Sequence, residues 1–330
     1  MPPVRLDMEN NVLLQGINLT KYYPVTAGLL HRRIGSIKAV DGVSFFINTG
    51  ETLGLVGESG CGKSTLGRLI VKLEEPTGGT ILLEGRDVTR IGRNDGRAIR
   101  RSIQIIFQDP QSSLDPRMTI RDSMEEALLL VDSRDEKAHE DRITELLNMV
   151  GLDKDFASRY PHEFSGGEKQ RIGIARALAV GPRLIVADEP VSALDVSIQA
   201  QILNLLADLK DRLGVAYLFV AHDLSVIKHI SDRIAVMYLG KIVETASKTE
   251  LFAHPLHPYT QALLSAIFTI GGRADQQSIV PSGDVPSPAN PPSGCRFHTR
   301  CFRVMPVCSL QEPEFKEAAP HHFTACHLYP

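Results

Sequence analysis

The sequence predicts an α/β protein that combines a largely parallel sheet with an inserted helical segment. Short apolar runs that read as strands alternate with amphipathic helical patterns, which is typical of a parallel sheet with helices on both faces. A glycine-rich turn joins one of these strands to the first helix. Between about residues 110 and 180 the pattern is mainly helical, and this stretch interrupts the alternation.

The individual elements follow from apolar patterning and turn residues. Near the N-terminus, Val12–Leu14, Ile37–Val40 and Val43–Ile47 are predicted strands, and Asn48–Glu51 is a predicted turn. The further elements are strand Thr52–Val56, helix Thr65–Leu73, strand Thr80–Glu84, strand Ser102–Phe107, helical residues 119–150, helix 168–179, strand Leu184–Ala187, helix Ile198–Leu213, and strands Ala216–Val220 and Arg233–Tyr238. Pro281–Pro292 is rich in proline and serine, which indicates a linker or surface loop.

Size and composition limit the class of protein. A chain of 330 residues exceeds one ordinary hydrophobic core, so two or more units are expected. The content of 43% hydrophobic and 23% charged residues is that of a soluble globular protein, and the net charge of −3 argues against general nucleic-acid binding. No apolar run is long enough to span a bilayer, and Met1–Met8 lacks the apolar core of a signal peptide. We therefore expect a cytoplasmic location, where disulfides are rare.

The most informative motif is a phosphate-binding loop. Residues 57–64 read Gly-Glu-Ser-Gly-Cys-Gly-Lys-Ser and match the Walker A pattern at every fixed position, between a predicted strand and a predicted helix. The glycines let backbone N–H groups surround a polyphosphate, and the helix N-terminus adds its dipole. Lys63 can place an ammonium on the outer phosphates and Ser64 can ligate Mg²⁺. Cys61 is expected to be a bystander in this loop.

Two acidic residues end a later apolar strand. Asp188 and Glu189 follow Leu184–Ala187, so Asp188 could hold Mg²⁺ through its water shell and Glu189 could polarise an attacking water. The alternative is a solvated pair at a strand end, which becomes less attractive beside a phosphate loop.

A third motif begins the helix at residues 168–179. Phe164-Ser-Gly-Gly-Glu-Lys-Gln170 places two glycines after a serine, which makes a second anion site from backbone N–H groups and a helix dipole. Two such sites in one chain suggest that they serve different copies of the protein. The alternative is an ordinary helix cap supplied by Ser165.

In their order, these motifs resemble the nucleotide-binding subunits of ATP-binding-cassette (ABC) transporters. That resemblance implies a P-loop NTPase core whose RecA-like, mainly parallel sheet carries an antiparallel β part, with an inserted helical subdomain. It implies that Gln108 senses the γ-phosphate and Mg²⁺, that His222 holds the attacking water, and that Asp195, in Ser192-Ala-Leu-Asp195, couples two sites. The nucleotide site would comprise Tyr23, Gly57, Glu58, Ser59, Gly60, Cys61, Gly62, Lys63, Ser64, Thr65 and Asp188. Mg²⁺ would be held by Ser64 and Gln108.

The same resemblance assigns the third motif to a neighbouring subunit's ATP. Ser165, Gly166, Gly167 and Glu168 would close on the nucleotide held by that subunit. Phe164 and Glu168 stand where leucine and glutamine are usual in the family, yet neither change removes the backbone cradle. Tyr23 is the expected aromatic for adenine stacking, with Tyr22 as the alternative. Taken alone, Gln108 could be a strand-end amide and His222 a core histidine.

Further stretches resemble one branch of the family. The filling of the loop at 57–65, His257-Pro-Tyr-Thr-Gln-Ala-Leu-Leu264, and Pro286-Ser-Pro followed by Pro-Pro-Ser-Gly-Cys295 are similar to ATPases of dipeptide, oligopeptide and nickel importers, most closely the F-type subunits of dipeptide importers. The resemblance implies a heterodimer with a second ATPase subunit, or a homodimer. It also implies two transmembrane permease subunits, a solute-binding protein that delivers the peptide, and a peripheral position on the cytoplasmic face of the inner membrane.

These inferences divide the chain into three parts. Residues 1–110 and 180–260 would form the nucleotide-binding core, residues 111–179 the helical subdomain, and residues 261–330 a small C-terminal extension. Four of the five cysteines, Cys295, Cys301, Cys308 and Cys326, lie in that extension. Four thiolates in a short proline-rich tail suit a soft metal, although their spacing does not identify it. The family resemblance implies a [4Fe–4S] cluster; Zn²⁺, and free or disulfide-linked thiols, are the alternatives.

Two other classes of function remain in view. A soluble ABC protein acting on nucleic acid often fuses two cassettes or inserts a coiled coil, and this chain has neither feature. A regulatory module could bind ATP without hydrolysing it, but Glu189 and His222 are both present. The sequence therefore predicts an ATPase with ATP and Mg²⁺ as ligands and no nucleic-acid partner.

Overall fold

Two β-sheets and ten α-helices are found in this computed structural model, which describes residues 11–27, 32–90, 96–109, 113–131, 136–270 and 279–329. The strands are β1 (Val12–Ala27), β2 (Arg32–Asn48), β3 (Thr52–Val56), β4 (Gly78–Leu83), β5 (Arg86–Asp87), β6 (Ile103–Ile106), β7 (Leu184–Asp188), β8 (Ala216–Ala221), β9 (Arg233–Tyr238), β10 (Lys241–Ser247), β11 (Lys316–Ala319) and β12 (His322–Thr324). The helices are α1 (Lys63–Ile70), α2 (Gly96–Ser102), α3 (Ile120–Leu128), α4 (Glu136–Met149), α5 (Gly166–Leu178), α6 (Val196–Leu213), α7 (Leu224–Ile230), α8 (Lys248–Ala253), α9 (Pro258–Ile270) and α10 (Pro306–Leu310).

The larger sheet has eight strands in the order β11-β12-β10-β9-β3-β8-β7-β6. Strands β9, β3, β8, β7 and β6 pair in parallel, whereas β10, β12 and β11 are antiparallel additions. Every residue of β3, β7 and β8 is buried, because α1 and the second sheet pack on one face of this sheet and other helices, among them α7, pack on the opposite face. The carboxyl ends of β3 and β7 therefore carry the phosphate loop and the Asp188–Glu189 pair at one edge of the sheet.

The smaller sheet is antiparallel, with the order β2-β1-β4-β5. Its apolar side chains pack against one face of the larger sheet and form a shared core. Leu14 and Ile47 of the smaller sheet and Leu55 and Val220 of the larger sheet belong to this core. Arg233 joins the two sheets, since its guanidinium donates to the Glu51 carboxylate at 2.8 Å and lies 3.7 Å from the Phe46 ring centre.

The helices of the inserted segment pack together in a second hydrophobic core, which they share with the larger sheet. Helix α5 contacts both α3 and α4, and apolar residues such as Met124, Leu146 and Ile172 are fully buried there. Helix α3 begins at a capping box, in which Thr119 and Asp122 satisfy each other's backbone N–H groups.

The structure corrects several predicted elements. The strands predicted at Ile37–Val40 and Val43–Ile47 are parts of one strand, β2, because Gly42 adopts φ +76° and the strand continues through an irregular register. The helix predicted over Thr65–Leu73 runs from Lys63 to Ile70 and stops before Lys72, whose φ is +61°. The helical residues 119–150 contain two helices, α3 and α4.

The C-terminal residues extend the main sheet. Strand β12 pairs with β10 through Glu244–Thr324 and Thr245–Phe323, and β11 pairs with β12. Residue 261, the predicted start of an extension, lies inside α9. The predicted boundary at residues 110 and 111 and the N-terminal residues 1–10 lie outside the described residues. Among the helices of the described ranges, none combines the length and apolar character that a membrane span requires.

Candidate nucleotide site

The loop between β3 and α1 has glycine where a side chain cannot fit. A Cβ on Gly57 would lie 2.1 Å from the backbone oxygen of Met237, and one on Gly62 would lie 2.0 Å from that of Ala39. Gly62 also has φ +109°, which disfavours any L side chain. Both glycines therefore let the loop close tightly between β9 and β2, with Ser59 and Gly60 left exposed at its tip.

Lys63 is buried at the base of this loop. Its Nζ donates to the carbonyl oxygens of Gly57 at 2.7 Å and Glu58 at 3.0 Å. Gly62 is the N-cap of α1 and supplies no side-chain cap, so the first turn of the helix is open to an anion. This is the loop for which the sequence predicts a phosphate cradle. Cys61 is buried beside it, and burial raises the pKa of its thiol.

Ser64 and Asp188 form the oxygen pair beside the cradle. The Ser64 hydroxyl donates to Asp188 Oδ1 at 2.9 Å, which joins the start of α1 to the end of β7. Burial raises the pKa of Asp188, the hydrogen bond from Ser64 acts against this shift, and the charge of Glu189 adds to it. Hydroxyl and carboxylate oxygens of this kind suit Mg²⁺.

Glu189 stands between the two other predicted catalytic residues. Its Oε2 accepts from Gln108 Nε2 at 3.2 Å and lies 3.1 Å from His222 Nδ1. Glu189 has φ +47°, and its backbone N–H donates to Val220 O at 3.0 Å. The strained backbone and this anchor turn the carboxylate away from the strand towards Gln108 and His222. Gln108, also a predicted Mg²⁺ ligand, thus contacts Glu189, while Ser64 contacts Asp188.

The Ser165-Gly-Gly motif lies in a different place. Ser165 is the N-cap of α5, and Glu168 completes a capping box by accepting from the Ser165 backbone N–H at 2.8 Å and from its hydroxyl at 2.7 Å. Hydrogen bonds from Ser165 lower the pKa of Glu168. Glu168, one of the two residues that depart from the family pattern, is thus part of the helix cap.

An open cavity of about 650 Å³ adjoins this motif. Its lining residues are Ser165, Gly166, Gly167, Ser192, Ala193, Leu194, Asp195 and Ile198, and none of them belongs to the phosphate loop. A Cβ on Gly167 would lie 2.7 Å from Ile198 Cγ2, so glycine permits α5 to approach α6 closely. Asp195 is the N-cap residue of α6 but makes no side-chain cap hydrogen bond, which leaves its carboxylate on the cavity.

Tyr22 and Tyr23 have different partners. The Tyr22 hydroxyl bonds to Asp41, and burial raises its pKa to about 12. The Tyr23 hydroxyl bonds to Glu74 and also to Thr65, the residue after the phosphate-loop pattern. Of the two rings, Tyr23 is the one linked to the loop.

The four late cysteines are free thiols that lie near one another. Burial raises the pKa of Cys295 to about 12, and the charges of Cys308, Cys326 and Cys301 add to this shift. Three of the sulfurs accept a backbone N–H two residues on: Cys301 from Arg303 at 3.4 Å, Cys295 from Phe297 and Cys326 from Leu328. Within the described parts of the chain, however, no group of three or more His, Cys, Asp or Glu residues is arranged to hold a metal ion.

Sequence reasoning missed two residues that contact the phosphate loop. The Glu58 carboxylate accepts from Arg300 Nη1 at 2.8 Å, and the Glu58 backbone N–H donates to the Tyr259 hydroxyl at 2.8 Å. Tyr259 lies in the His257-Pro-Tyr-Thr stretch, so a signal was present for it. Arg300 is one of several basic residues in the tail, and no sequence pattern connects it with a loop 242 residues away.

Comparison with protein families gives two matches. Residues 40–192 match the ABC transporter family, and residues 243–308 match the oligopeptide/dipeptide transporter C-terminal region. The first match contains the phosphate loop, Ser165 and Glu189, and the second contains most of β10, all of α9 and three of the late cysteines.

Individual proteins resemble the whole chain. The oligopeptide transport ATP-binding protein AppF of Bacillus subtilis is 54% identical over 320 residues, which are 96% of this chain and 97% of that protein. The dipeptide transport ATP-binding protein DppF of Haemophilus influenzae is 46% identical over 318 residues, again 96% of this chain and 97% of the relative.

A solved structure resembles the cassette. The dimeric structure of MJ0796, a bacterial ABC transporter cassette, superposes with a TM-score of 0.64 and 30% identity, covering 72% of this chain and 99% of that one. A post-hydrolysis dimer of the same cassette, bound to ADP and Pi, gives a TM-score of 0.62. The predicted α/β fold with a phosphate loop is thereby confirmed.

Proposed function

Because this chain belongs to the ABC transporter ATPases, we propose that it hydrolyses ATP to drive the import of di- and oligopeptides through a membrane permease. The observation that carries the choice of solute is similarity over nearly the whole chain to oligopeptide and dipeptide transport subunits, including the C-terminal region at residues 243–308. The cassette supplies ATP hydrolysis, and the solute itself would cross the permease without touching this chain.

Binding of ATP is assigned to the cradle at the end of β3. The phosphates take the place of the loop carbonyls as partners of Lys63, and the backbone N–H groups at residues 57–65 surround them. Tyr23 is the adenine-stacking residue in this proposal, supported by its link to Thr65. Ser64, Gln108 and Asp188 would hold Mg²⁺, which supplies charge neutralisation between the outer phosphates.

Hydrolysis is assigned to the cluster around Glu189. Its carboxylate accepts a hydrogen bond from the attacking water and polarises it, while His222 and Gln108 fix the direction of the carboxylate. In this proposal His222 also contacts the γ-phosphate and holds the attacking water in place. Because the side chain of Glu189 is only 15% exposed, few solvent molecules compete for this hydrogen bond.

A second ATPase subunit completes each site. Ser165, Gly166 and Gly167 line a cavity without any phosphate-loop residue, and Glu168 accepts from the Ser165 hydroxyl, which supports the use of all four residues on the ATP of the neighbouring subunit. Asp195 borders the same cavity, so it could relay closure from one site to the other. The partner is a related subunit in a heterodimer, or a second copy in a homodimer. On the cytoplasmic face of the membrane, closure of the two ATPase subunits moves two permease subunits. A solute-binding protein supplies the peptide.

The proposal divides the molecule by role. Residues 1–110 and 180–260 bind and hydrolyse ATP, and residues 111–179 present the Ser165-Gly-Gly motif to the partner subunit. Residues 261–330 form a C-terminal extension. When the two ATPase subunits close around ATP, movement of the helical segment would transmit force to the permease.

Replacing Glu189 by glutamine tests the function. In a strain whose own copy carries Glu189→Gln, we expect ATP binding to persist, while ATP turnover by the purified transporter falls by about 10²- to 10⁴-fold. Uptake of labelled dialanine should fall with it. The exposed Glu75→Gln variant makes the same chemical change elsewhere and should leave both rates unchanged.

The outcomes separate the alternatives. Normal turnover in Glu189→Gln would refute the role of this residue. Loss of nickel uptake with intact dipeptide uptake would assign another solute to the same ATPase. Co-purification with RNA and no permease would favour a soluble ABC protein.

The cofactor of the extension is the second part of the proposal. Cys295, Cys301, Cys308 and Cys326 would ligate a [4Fe–4S] cluster, with Zn²⁺ as the alternative. The charges of Cys301, Cys308 and Cys326 act on the pKa of Cys295, which places the four sulfurs in one cluster, and the backbone N–H groups donated to three of the sulfurs would stabilise thiolate ligands. Without a metal, burial and the mutual repulsion of the sulfurs favour protonated thiols. The described arrangement is not that of a formed metal site, so ligand binding would draw the thiols closer. The cluster would supply a structural crosslink among the four cysteines.

Metal analysis tests this cofactor directly. Anaerobically purified protein should contain iron and acid-labile sulfide in stoichiometric amounts, and Cys326→Ser should lose them. Zinc without sulfide would replace the cluster by a zinc site. Absence of both metals would refute the metal site and leave the ATPase assignment unaffected.

A further inference from the structure

Glu58, the second residue of the phosphate loop, is held from three sides. Its carbonyl oxygen accepts from Lys63 Nζ at 3.0 Å. Its backbone N–H donates to the Tyr259 hydroxyl at 2.8 Å, and its carboxylate accepts from Arg300 Nη1 at 2.8 and 3.1 Å. Two of the three contacts therefore come from the C-terminal part of the chain.

Arg300 is fixed by the turn that connects two cysteines. It ends the 3₁₀ helix His298–Arg300, which lies between Cys295 and Cys301. Within this turn the His298 N–H donates to Cys295 O at 3.0 Å and the Arg300 N–H donates to Phe297 O at 2.9 Å. Arg300 is only 8% exposed, so its guanidinium has little freedom to leave Glu58.

Tyr259 is fixed by the same packing. It is fully buried, and its ring lies 4.7 Å from that of Tyr238 and 5.3 Å from that of Phe297. Phe297 is also in edge contact with Tyr238, with ring centres 5.2 Å apart. The three rings join α9, β9 and the cysteine-bearing turn, so a shift of that turn displaces both residues that hold Glu58.

We infer that Arg300 and Tyr259 are positioning residues for the phosphate loop, through which the conformation of the four-cysteine tail sets the affinity of this chain for ATP. Two physical effects act in the same direction. Arg300 neutralises a carboxylate that would otherwise repel the triphosphate, and both residues hold the loop backbone in one place. The inference rests on ATP binding at the loop and does not depend on which metal the cysteines bind.

The test compares Arg300→Gln with Arg303→Gln, which removes the same charge from an exposed position in the same tail. Calorimetric titration of the purified chain with MgATP should show that Arg300→Gln raises Kd by about three- to tenfold, as expected for a hydrogen-bonded ion pair that is partly exposed. Tyr259→Phe should weaken binding in the same direction. Arg303→Gln should bind as the wild type does.

A second substitution isolates the mechanism. Glu58→Gln in the Arg300→Gln background removes the uncompensated carboxylate and should restore part of the affinity. In the ATPase assay, Arg300→Gln should raise KM and change kcat by less than about twofold, since the residue acts on loop position and not on the reacting atoms. Cys301→Ser, which alters the end of the turn, should also raise Kd.

The contrary results are distinct from failure of the ATP site. Lys63→Ala should abolish binding, and a wild-type chain that binds no ATP would overturn the nucleotide site itself. If the wild type binds and Arg300→Gln has the same Kd, the inference is wrong. Equal weakening by Arg300→Gln with and without Glu58→Gln would also refute it, because that pattern would mean a general loss of tail structure.

Discussion

One serine cap and one threonine cap offer a matched test of the Ser165-Gly-Gly motif. Ser165 and Thr119 are both N-caps of helices in the helical segment, and both form capping boxes. The hydroxyl oxygen of Ser165 lies 3.4 Å from the Glu168 N, and that of Thr119 lies 3.2 Å from the Asp122 N. Only Ser165 borders the cavity proposed to receive the ATP of a partner subunit.

The structural loss should be the same in both alanine variants. Removing a serine or threonine cap costs about 1 kcal/mol of stability. In a protein of this size that shifts the melting temperature by no more than about 2–4 °C. If Ser165 contacts the partner subunit's γ-phosphate as proposed, Ser165→Ala also loses that hydrogen bond to a charged group, worth about 1.5–3 kcal/mol, which corresponds to a roughly 10- to 150-fold fall in ATP turnover.

The assay measures melting temperature and ATPase rate on both variants in the assembled transporter. We expect equal melting temperatures and a large loss of turnover in Ser165→Ala alone. Comparable turnover in Ser165→Ala and Thr119→Ala would show that Ser165 is a helix cap and nothing more, which would remove the in-trans site from the proposal.

Three further predictions concern the glycines of the phosphate loop, the pH dependence of stability and the charge of Glu168. Gly62→Ala should abolish ATP binding in a nucleotide titration, because φ +109° and a contact with backbone make alanine costly there, whereas Gly60→Ala, with φ +78° but open space, should retain it. Burial lowers the pKa of His257 to about 4 from 6.5, so the folded protein keeps it neutral; stability should fall by up to about 3 kcal/mol as pH drops from 6.5 through 4. His257→Asn, which keeps an acceptor for the Tyr259 N–H, should flatten that part of the pH–stability curve. Glu168→Gln removes a carboxylate beside the proposed γ-phosphate position, so ATP-dependent association of the two ATPase subunits, followed by gel filtration, should become tighter; weaker association would contradict this reasoning.

The elements that the sequence predicts best are those with strong local signals. Strands β3, β7 and β8 are uninterrupted apolar runs that are buried on both faces, and the phosphate loop follows one of them directly. Gln108 and His222 both contact Glu189, so the structure brings together three residues that the family resemblance names, and their roles in hydrolysis stay predictions.

What the sequence does not reveal depends on distant partners. Strand β10 carries Glu244 in its middle, a residue that argues against a buried strand. In the structure that carboxylate is fully buried because it accepts from the Leu256 and His257 backbone N–H groups and contacts His322, 78 residues away. Strand β12 is held by pairing with β10 and β11, and its three residues are too few for a periodic pattern to be recognised.

The contact between Glu58 and Arg300 also has a consequence for biosynthesis. The two residues are 242 positions apart, and synthesis at about 5–20 residues per second separates them by tens of seconds. During this interval the central strands can pair, but the loop lacks its guanidinium partner and β10 lacks β12 along its edge. A nascent or truncated chain would therefore present an unpaired strand edge, a common starting point for aggregation. We expect the loop to acquire its final geometry only after Arg300 has emerged, so that completion of the chain precedes full competence to bind nucleotide.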